Sequence, residues 1–223
     1  SFLNVTDEIL GKKTYKSANG VELSNGMQIR FQGDTEPAFY NQNNWYVEGV
    51  GDKIKLIKDQ DLPKDLFINL INARRWDIYK KPHEHAFAFD DYIMATSGNL
   101  MALACLAIGM PISDLNSAKE YGYGDGVARL FVAIPILEEN NRYPLVNGTE
   151  NAVSSLAKTA LNKMNNTKFS DNSAACALRL AWLSKGVLNK VNHNPKCVLN
   201  GDLYPSEFMK KLILLSKVIL RTF

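Results

Sequence analysis

A cysteine and a histidine in the C-terminal half of the chain are the residues best suited to covalent chemistry. Cys176 lies near the start of a predicted helix, in the segment DNSAACALRLAWLSKG, where the helix dipole and the unpaired amides favour a thiolate. A thiolate nucleophile also needs a base, and His193 is the only histidine that follows Cys176. Because a helix rather than a sheet is predicted after His193, the sequence favours an ordinary helical cysteine and leaves a thiol hydrolase as an alternative.

A second candidate for chemistry is the segment His83–His85, which places two imidazoles around Glu84 shortly before Asp90 and Asp91. These are the ligand types of a transition-metal site. Ligands two residues apart share a face only in a strand, however, and Pro82 predicts a turn here. The sequence therefore predicts a hydrogen-bonded loop with no metal.

Three glycines alternate with other residues in the segment YGYGDG, residues 121–126. Backbone amides of such a loop can hold a phosphate at a helix start. No strand precedes the segment, no Lys-Ser/Thr pair follows it, and Asp125 would repel an anion. The segment predicts a hinge-like connection with stacked tyrosines, and the chain is expected to bind no cofactor.

Basic and aromatic residues are interleaved in RRWDIYKK, residues 74–81, as on surfaces that bind single-stranded nucleic acid. Six residues are candidates for such a surface: Arg74, Arg75, Lys80, Lys81, Arg179 and Lys185. The alternative, that the arginines pair with nearby aspartates and Trp76 lies in the core, is favoured because a pI near 8.6 is mild for a dedicated nucleic-acid binder.

The charge of the chain is unevenly distributed. Residues 150–223 hold 11 Lys or Arg against 4 Asp or Glu, a net charge of +7, whereas residues 1–149 hold 15 against 19, a net charge of −4. Such asymmetry is typical of a nucleic-acid surface, of an acidic partner, or of head-to-tail contacts between copies.

The composition predicts a folded, soluble protein: 223 residues, 46% hydrophobic and 22% charged. Three cysteines are too few for a disulfide framework, which predicts reduced thiols. The N-terminal residues lack the pattern of a secretory signal. The longest apolar run, residues 100–108, is shorter than the roughly 20 residues that span a bilayer, so no membrane partner is expected.

The predicted fold class is α+β, with a small antiparallel β-module over residues 1–62 and an α-helical domain over residues 63–223. Turn dipeptides at Asn19-Gly20 and Asn25-Gly26 separate alternating apolar residues, which is typical of hairpins. From Pro63 onward the apolar spacing becomes helical. Helices are predicted at about 99–109, 114–121, 151–164, 173–191 and 205–221, and the segment 127–136 also favours a helix. The last helix carries a broad apolar stripe: Phe208, Met209, Leu212, Ile213, Leu215 and Ile219.

Two stretches resemble known families. Residues 176–180, CALRL, resemble the nucleophile-bearing helix of papain-like cell-wall amidases secreted as bacterial toxins. Over residues 14–62 the chain resembles a β-module of virion structural proteins of tailed marine bacteriophages. The matching residues are Asn19-Gly20-Val21, 23–27, 29–31, Pro37-Ala38, Tyr40, 46–51 and 54–57.

The second resemblance implies a particle component and no catalytic residues. The sequence-based hypothesis is therefore a viral structural protein that associates with itself and with other virion proteins, is made in the host cytoplasm and resides in the virion. Two alternatives remain: a viral nucleoprotein that binds a genome through a basic helical face, and a papain-like cysteine amidase acting on peptidoglycan.

Overall fold

The computed structural model describes residues 61–79 and 85–220, together with the backbone of three short strands at residues 28–29, 38–41 and 44–46; the side chains of Trp76 and Tyr79 are not among the described parts. The chain divides into two compact units, Ser1–Lys64 and Asp65–Phe223.

The strands of the first unit are β1 (Gln28–Ile29), β2 (Ala38–Asn41) and β3 (Asn44–Tyr46), in the order β1-β2-β3 with antiparallel pairing. In this pairing Phe39 lies opposite both Gln28 and Tyr46. Most of the predicted strand residues, including Val21, Leu23, Ile54 and Leu56, lie outside the described residues.

The α+β class predicted from the sequence is wrong for the described part of the protein, which is mainly helical. Among the described residues, strand pairing joins only segments of two, four and three residues, and no strand occurs in the described residues of the second unit. Turn dipeptides and alternating apolar residues are short-range signals, and they produce a stable sheet only when a packed face supports it.

Helices build the second unit. Their bounds are α1 Lys64–Tyr79, α2 Ala86–Ile93, a π-helical turn Met94–Gly98, α3 Asn99–Ala107, α4 Leu115–Glu139, α5 Glu150–Asn166, α6 Ala175–Leu178, α7 Ser184–His193 and α8 Glu207–Ile219, with 3-10 turns at Ile112–Asp114, Arg179–Ala181 and Pro195–Val198. Side-chain caps begin three of the described helices. His85 caps α2, Thr149 Oγ1 accepts from the amide of Ala152 at 3.4 Å at the start of α5, and Ser206 Oγ accepts from the amide of Met209 at 3.4 Å at the start of α8. The single helix predicted over 173–191 is instead divided into α6, a 3-10 turn and α7.

Helix α4 lies at the centre of the helical unit and packs against the π-helical turn, α3, α5 and α7. Its Val127, Phe131 and Ile134 are almost fully buried. The helix continues through Pro135 and ends four residues later at Glu139. Its length therefore provides a scaffold that positions the shorter helices around it.

The glycine-rich segment 121–126 lies inside α4, so the predicted hinge-like connection is wrong, and so is a phosphate-binding loop. Its tyrosines do not stack on each other: Tyr123 donates to Asp90 Oδ1 at 2.5 Å, whereas the Tyr121 ring lies edge-on to Phe169 at 6.4 Å. The glycines instead allow close packing. A Cβ on Gly122 would lie 2.7 Å from the carbonyl oxygen of Ser97 in the π-helical turn.

Asp114, just before α4, forms hydrogen bonds with the loop that follows α5. Its Oδ2 accepts from the backbone amide of Ser170 at 2.7 Å, and its Oδ1 accepts from the Ser170 hydroxyl at 2.7 Å. These bonds hold the pKa of the Asp114 carboxyl below its usual value. Since the folded-state pKa lies below the unfolded-state pKa, the stabilisation is present above the unfolded value of about 3.9 and is lost as the pH falls through the folded value.

Replacing Asp114 with asparagine is therefore expected to lower the Tm at about pH 7 and to have a smaller effect at about pH 3, where the parent has also lost part of the stabilisation. Thermal unfolding followed by circular dichroism at the two pH values measures this difference. Asp91→Asn, at an exposed carboxylate of α2, is the control. An equal Tm loss at both pH values would contradict this role of Asp114.

Candidate protein interface

The last helix, α8, has a sequence pattern that suits contact with another helix. Phe208, Leu212, Leu215 and Ile219 are spaced by four, three and four residues, which is the spacing of a and d positions in a heptad. Pro205 and the cap residue Ser206 precede the first turn. These four apolar residues, called the α8 seam below, therefore lie along one side of the helix.

The α8 seam faces away from the other described helices. None of the residues of α8 is buried, and the exposed fractions are 73% for Phe208, 47% for Leu212, 55% for Leu215 and 69% for Ile219. No described helix of the second unit packs closely along α8. Clusters of large exposed apolar side chains of this kind mark interaction sites in soluble proteins.

The opposite side of α8 carries lysines that are less exposed than the seam. The Lys210 ammonium lies 4.8 Å from the centre of the Tyr204 ring and donates to Glu207 Oε1 at 2.6 Å. Burial lowers the pKa of Lys217, and burial together with the charge of Lys217 lowers the pKa of Lys185 in α7. An amphipathic helix on a protein surface normally has the reverse orientation, with its apolar stripe inward.

Helix α8 also needs packing to be stable. It has 13 residues, and isolated helices of about 12–15 residues are marginal in water, because most helical stability in proteins comes from packing of the apolar face. Within the described residues the α8 seam has no such packing. We therefore identify the seam as the candidate functional surface.

The predicted nucleic-acid-binding residues lie on separate segments. Arg74 and Arg75 are exposed on α1, and Arg74 Nη1 donates to Asp77 Oδ2 at 3.1 Å and to the Tyr92 hydroxyl at 3.3 Å. Lys185 is at the start of α7, and its ammonium lies 5.5 Å from the centre of the Tyr121 ring in α4. Arg179 is half-buried in the 3-10 turn that precedes α7. Lys80 and Lys81 lie outside the described residues.

Ion pairs between elements engage several lysines of the basic C-terminal part. They are Lys163 with Glu120 at 3.1 Å, Lys190 with Asp202 at 3.2 Å and Lys196 with Glu150 at 3.6 Å. Three of the 11 basic residues in residues 150–223 therefore form ion pairs between elements of the helical unit, and of these three only Lys163 pairs with an acidic residue from the first 149 residues.

The candidate thiol and its candidate base lie on different helices. Cys176 is exposed in α6, a helix of only four residues. His193 is at the end of α7, where its Nδ1 lies 2.7 Å from the carbonyl oxygen of Asn189. Both side chains belong to the described part of the chain, and no hydrogen bond joins them there.

The predicted histidine-rich loop is described only in part, because His83 and Glu84 lie outside the described residues. His85 is the N-cap of α2, and its Nδ1 accepts from the amide of Ala88 at 3.0 Å. Among the described residues, no group of three metal-ligating side chains is close enough to hold a metal ion.

Comparison with known proteins identifies no relative: no protein-family model, no curated protein and no solved structure matches the chain.

None of the described helices has the length and apolar character needed to cross a membrane.

Proposed function

We propose that the protein is a viral structural component that assembles with further copies of itself, and that the α8 seam supplies a contact between copies. The main support for this proposal is that all four residues of the α8 seam are exposed, on a helix with no buried residue. The resemblance of residues 14–62 to a virion β-module supports the viral setting.

A second copy of the chain is the occupant that suits the seam, because the seam is self-complementary. In an antiparallel pair of α8 helices, Phe208 would lie opposite Ile219 of the second copy and Leu212 opposite Leu215 of the second copy. The positions that flank the seam in the heptad are Met209, Lys211, Ser216 and Val218. Only one of these is charged, so repulsion between like charges is limited.

The expected strength of this contact is low. Full burial of one large apolar side chain contributes about 1.5–3 kcal/mol, so eight half-exposed side chains from two copies contribute roughly 10 kcal/mol. Association itself costs about 4–15 kcal/mol. A single pair of α8 helices therefore forms a weak dimer, which suits a particle in which several contacts act together.

Sedimentation velocity over a wide range of protein concentrations tests the proposal, with electron micrographs of the most concentrated sample. We expect the average mass to rise with concentration, and to remain raised at high salt because the contact is apolar. Binding of a nucleic-acid backbone through the six basic candidates would instead weaken steeply with salt. A monodisperse monomer at every concentration would overturn the proposal.

A further inference from the structure

A second surface feature, separate from the α8 seam, is a cavity of about 160 Å³ between α4, the start of α7 and the chain that precedes α8. Ala128 and Val187 contribute apolar wall, and the rings of Trp182 and Tyr204 also line the cavity. Pockets that hold drug-sized ligands or cofactors measure about 300–1,000 Å³. This cavity is therefore suited to one side chain or a small acid.

The polar part of the cavity is a network around Asp125, which is largely buried. Asp125 Oδ1 accepts from the Ser184 hydroxyl at 2.6 Å, and Asp125 Oδ2 accepts from Arg129 Nε at 2.7 Å. Arg129 Nη2 donates to the carbonyl oxygen of Leu180 at 3.2 Å. These bonds hold the guanidinium in one orientation.

The Arg129 guanidinium still has N–H groups that can donate hydrogen bonds to a ligand. The Arg129 side chain is 61% exposed, and its Nη1 has no hydrogen-bond partner among the described residues. A guanidinium with free N–H groups is well matched to a carboxylate. Trp, Tyr and Arg are also the residue types most enriched at the energetic centres of protein interfaces. The ligand class indicated is a carboxylate carried by a protein side chain.

The same helix carries two carboxylates that lack partners. Glu138 and Glu139 are exposed in the last turn of α4, and neither forms an ion pair within the described residues. No basic residue occupies this turn. Acidic side chains at a helix C-terminus are destabilising by about 0.3–1 kcal/mol each, because they lie near the negative end of the helix dipole. A cation from another molecule would relieve this repulsion.

We propose that the cavity beside Arg129 receives Glu138 or Glu139 from the end of α4 of a second copy, so that copies join head to tail. This inference rests on the proposed function in that both partners are copies of one chain. Tyr204 lies under Lys210 of α8 and also lines the cavity, so the cavity and α8 adjoin each other. A contact between two different surfaces repeats along a ring or a filament.

The test uses the full chain carrying Leu212→Lys in the α8 seam, or the parent chain if the parent is monomeric. A peptide of residues 134–143, IPILEENNRY, is titrated into it while the indole N–H resonance of Trp182, assigned with Trp182→Phe, is followed by NMR. We expect a saturable shift. A peptide with both glutamates replaced by glutamine should bind about tenfold more weakly, because the charge-assisted bonds are lost.

Three protein variants complete the experiment. Arg129→Gln should lose binding of the glutamate peptide. Arg129→Lys keeps a positive charge beside Asp125, but it should lose most of the affinity for that peptide, because an ammonium cannot form the bidentate hydrogen bonds of a guanidinium. Lys158→Gln removes an exposed positive charge from α5 and should bind as the parent does. The absence of a Trp182 shift, equal affinity for the two peptides, or unchanged binding by a folded Arg129 variant would overturn the inference. A monomeric parent that binds the glutamate peptide would reject assembly through the α8 seam and keep the Arg129 contact.

Discussion

Replacing Leu212 with lysine is expected to weaken self-association by at least about 100-fold. In the antiparallel pair each copy contributes one Leu212, so two apolar side chains are lost and two ammonium groups enter the contact. A loss of about 1.4 kcal/mol at each of the two sites already corresponds to a factor of about 100. Sedimentation equilibrium of the parent and of the variant, at the same concentrations, measures the two dissociation constants.

The control for this prediction is Leu199→Lys, the same chemical change at an exposed leucine outside α8. Both leucines are substantially exposed in one copy, so neither variant should change the Tm of the monomer by more than a degree or two, in keeping with the small effects of surface substitutions. If Leu212→Lys associates as strongly as Leu199→Lys, the α8 seam is not the contact.

Replacing Gly122 with alanine is expected to destabilise the helical unit by about 2 kcal/mol. The new Cβ would lie 2.5 Å from the Cβ of Met101 and 2.7 Å from the carbonyl oxygen of Ser97, so α4 must move away from the π-helical turn. Overpacking of this kind costs about 1–3 kcal/mol. The higher helix propensity of alanine, worth up to about 1 kcal/mol, offsets only part of the cost. A chain of this size should show a fall in Tm of about 5 °C in calorimetry.

Gly186→Ala is the matched control, because Gly186 also lies inside a helix, α7, yet a Cβ there would meet no heavy atom within 4 Å. That variant should be as stable as the parent or more stable by up to about 1 kcal/mol, since only helix propensity changes. Opposite directions for the two glycine variants are therefore expected. A similar Tm change in both would show that close packing at Gly122 does not limit stability.

Local signals in the sequence were sufficient for several elements. Pro63 and the apolar spacing after it predicted the start of α1, which begins at Lys64. The predicted bounds of 151–164 and 205–221 differ from α5 (Glu150–Asn166) and α8 (Glu207–Ile219) by one or two residues. Helix caps and apolar periodicity act over a single turn, so one sequence window contains the information that they need.

Other predictions failed where packing between distant segments decides the structure. The three glycines of the segment 121–126 are turn formers by local rules, yet they lie within α4 because the π-helical turn and α5 approach the helix there. The α+β class is wrong for the described residues for a related reason, since turn dipeptides and alternating apolar residues are local signals and do not determine which faces pack together. The network of Asp125 was missed altogether, because Ser184 is 59 residues away along the chain.

The amphipathic character of α8 and the heptad spacing of its apolar residues follow from the order of its residues alone, because side-chain positions on a helix depend only on its regular geometry. The outward orientation of this seam, with Lys210 and Lys217 towards the other described helices, is visible only in the folded chain. The same holds for the cavity that Arg129, Asp125 and Ser184 line together. The orientation of a helix on the protein and the set of residues that line a cavity depend on contacts between residues far apart in the chain, and no local sequence pattern encodes such contacts.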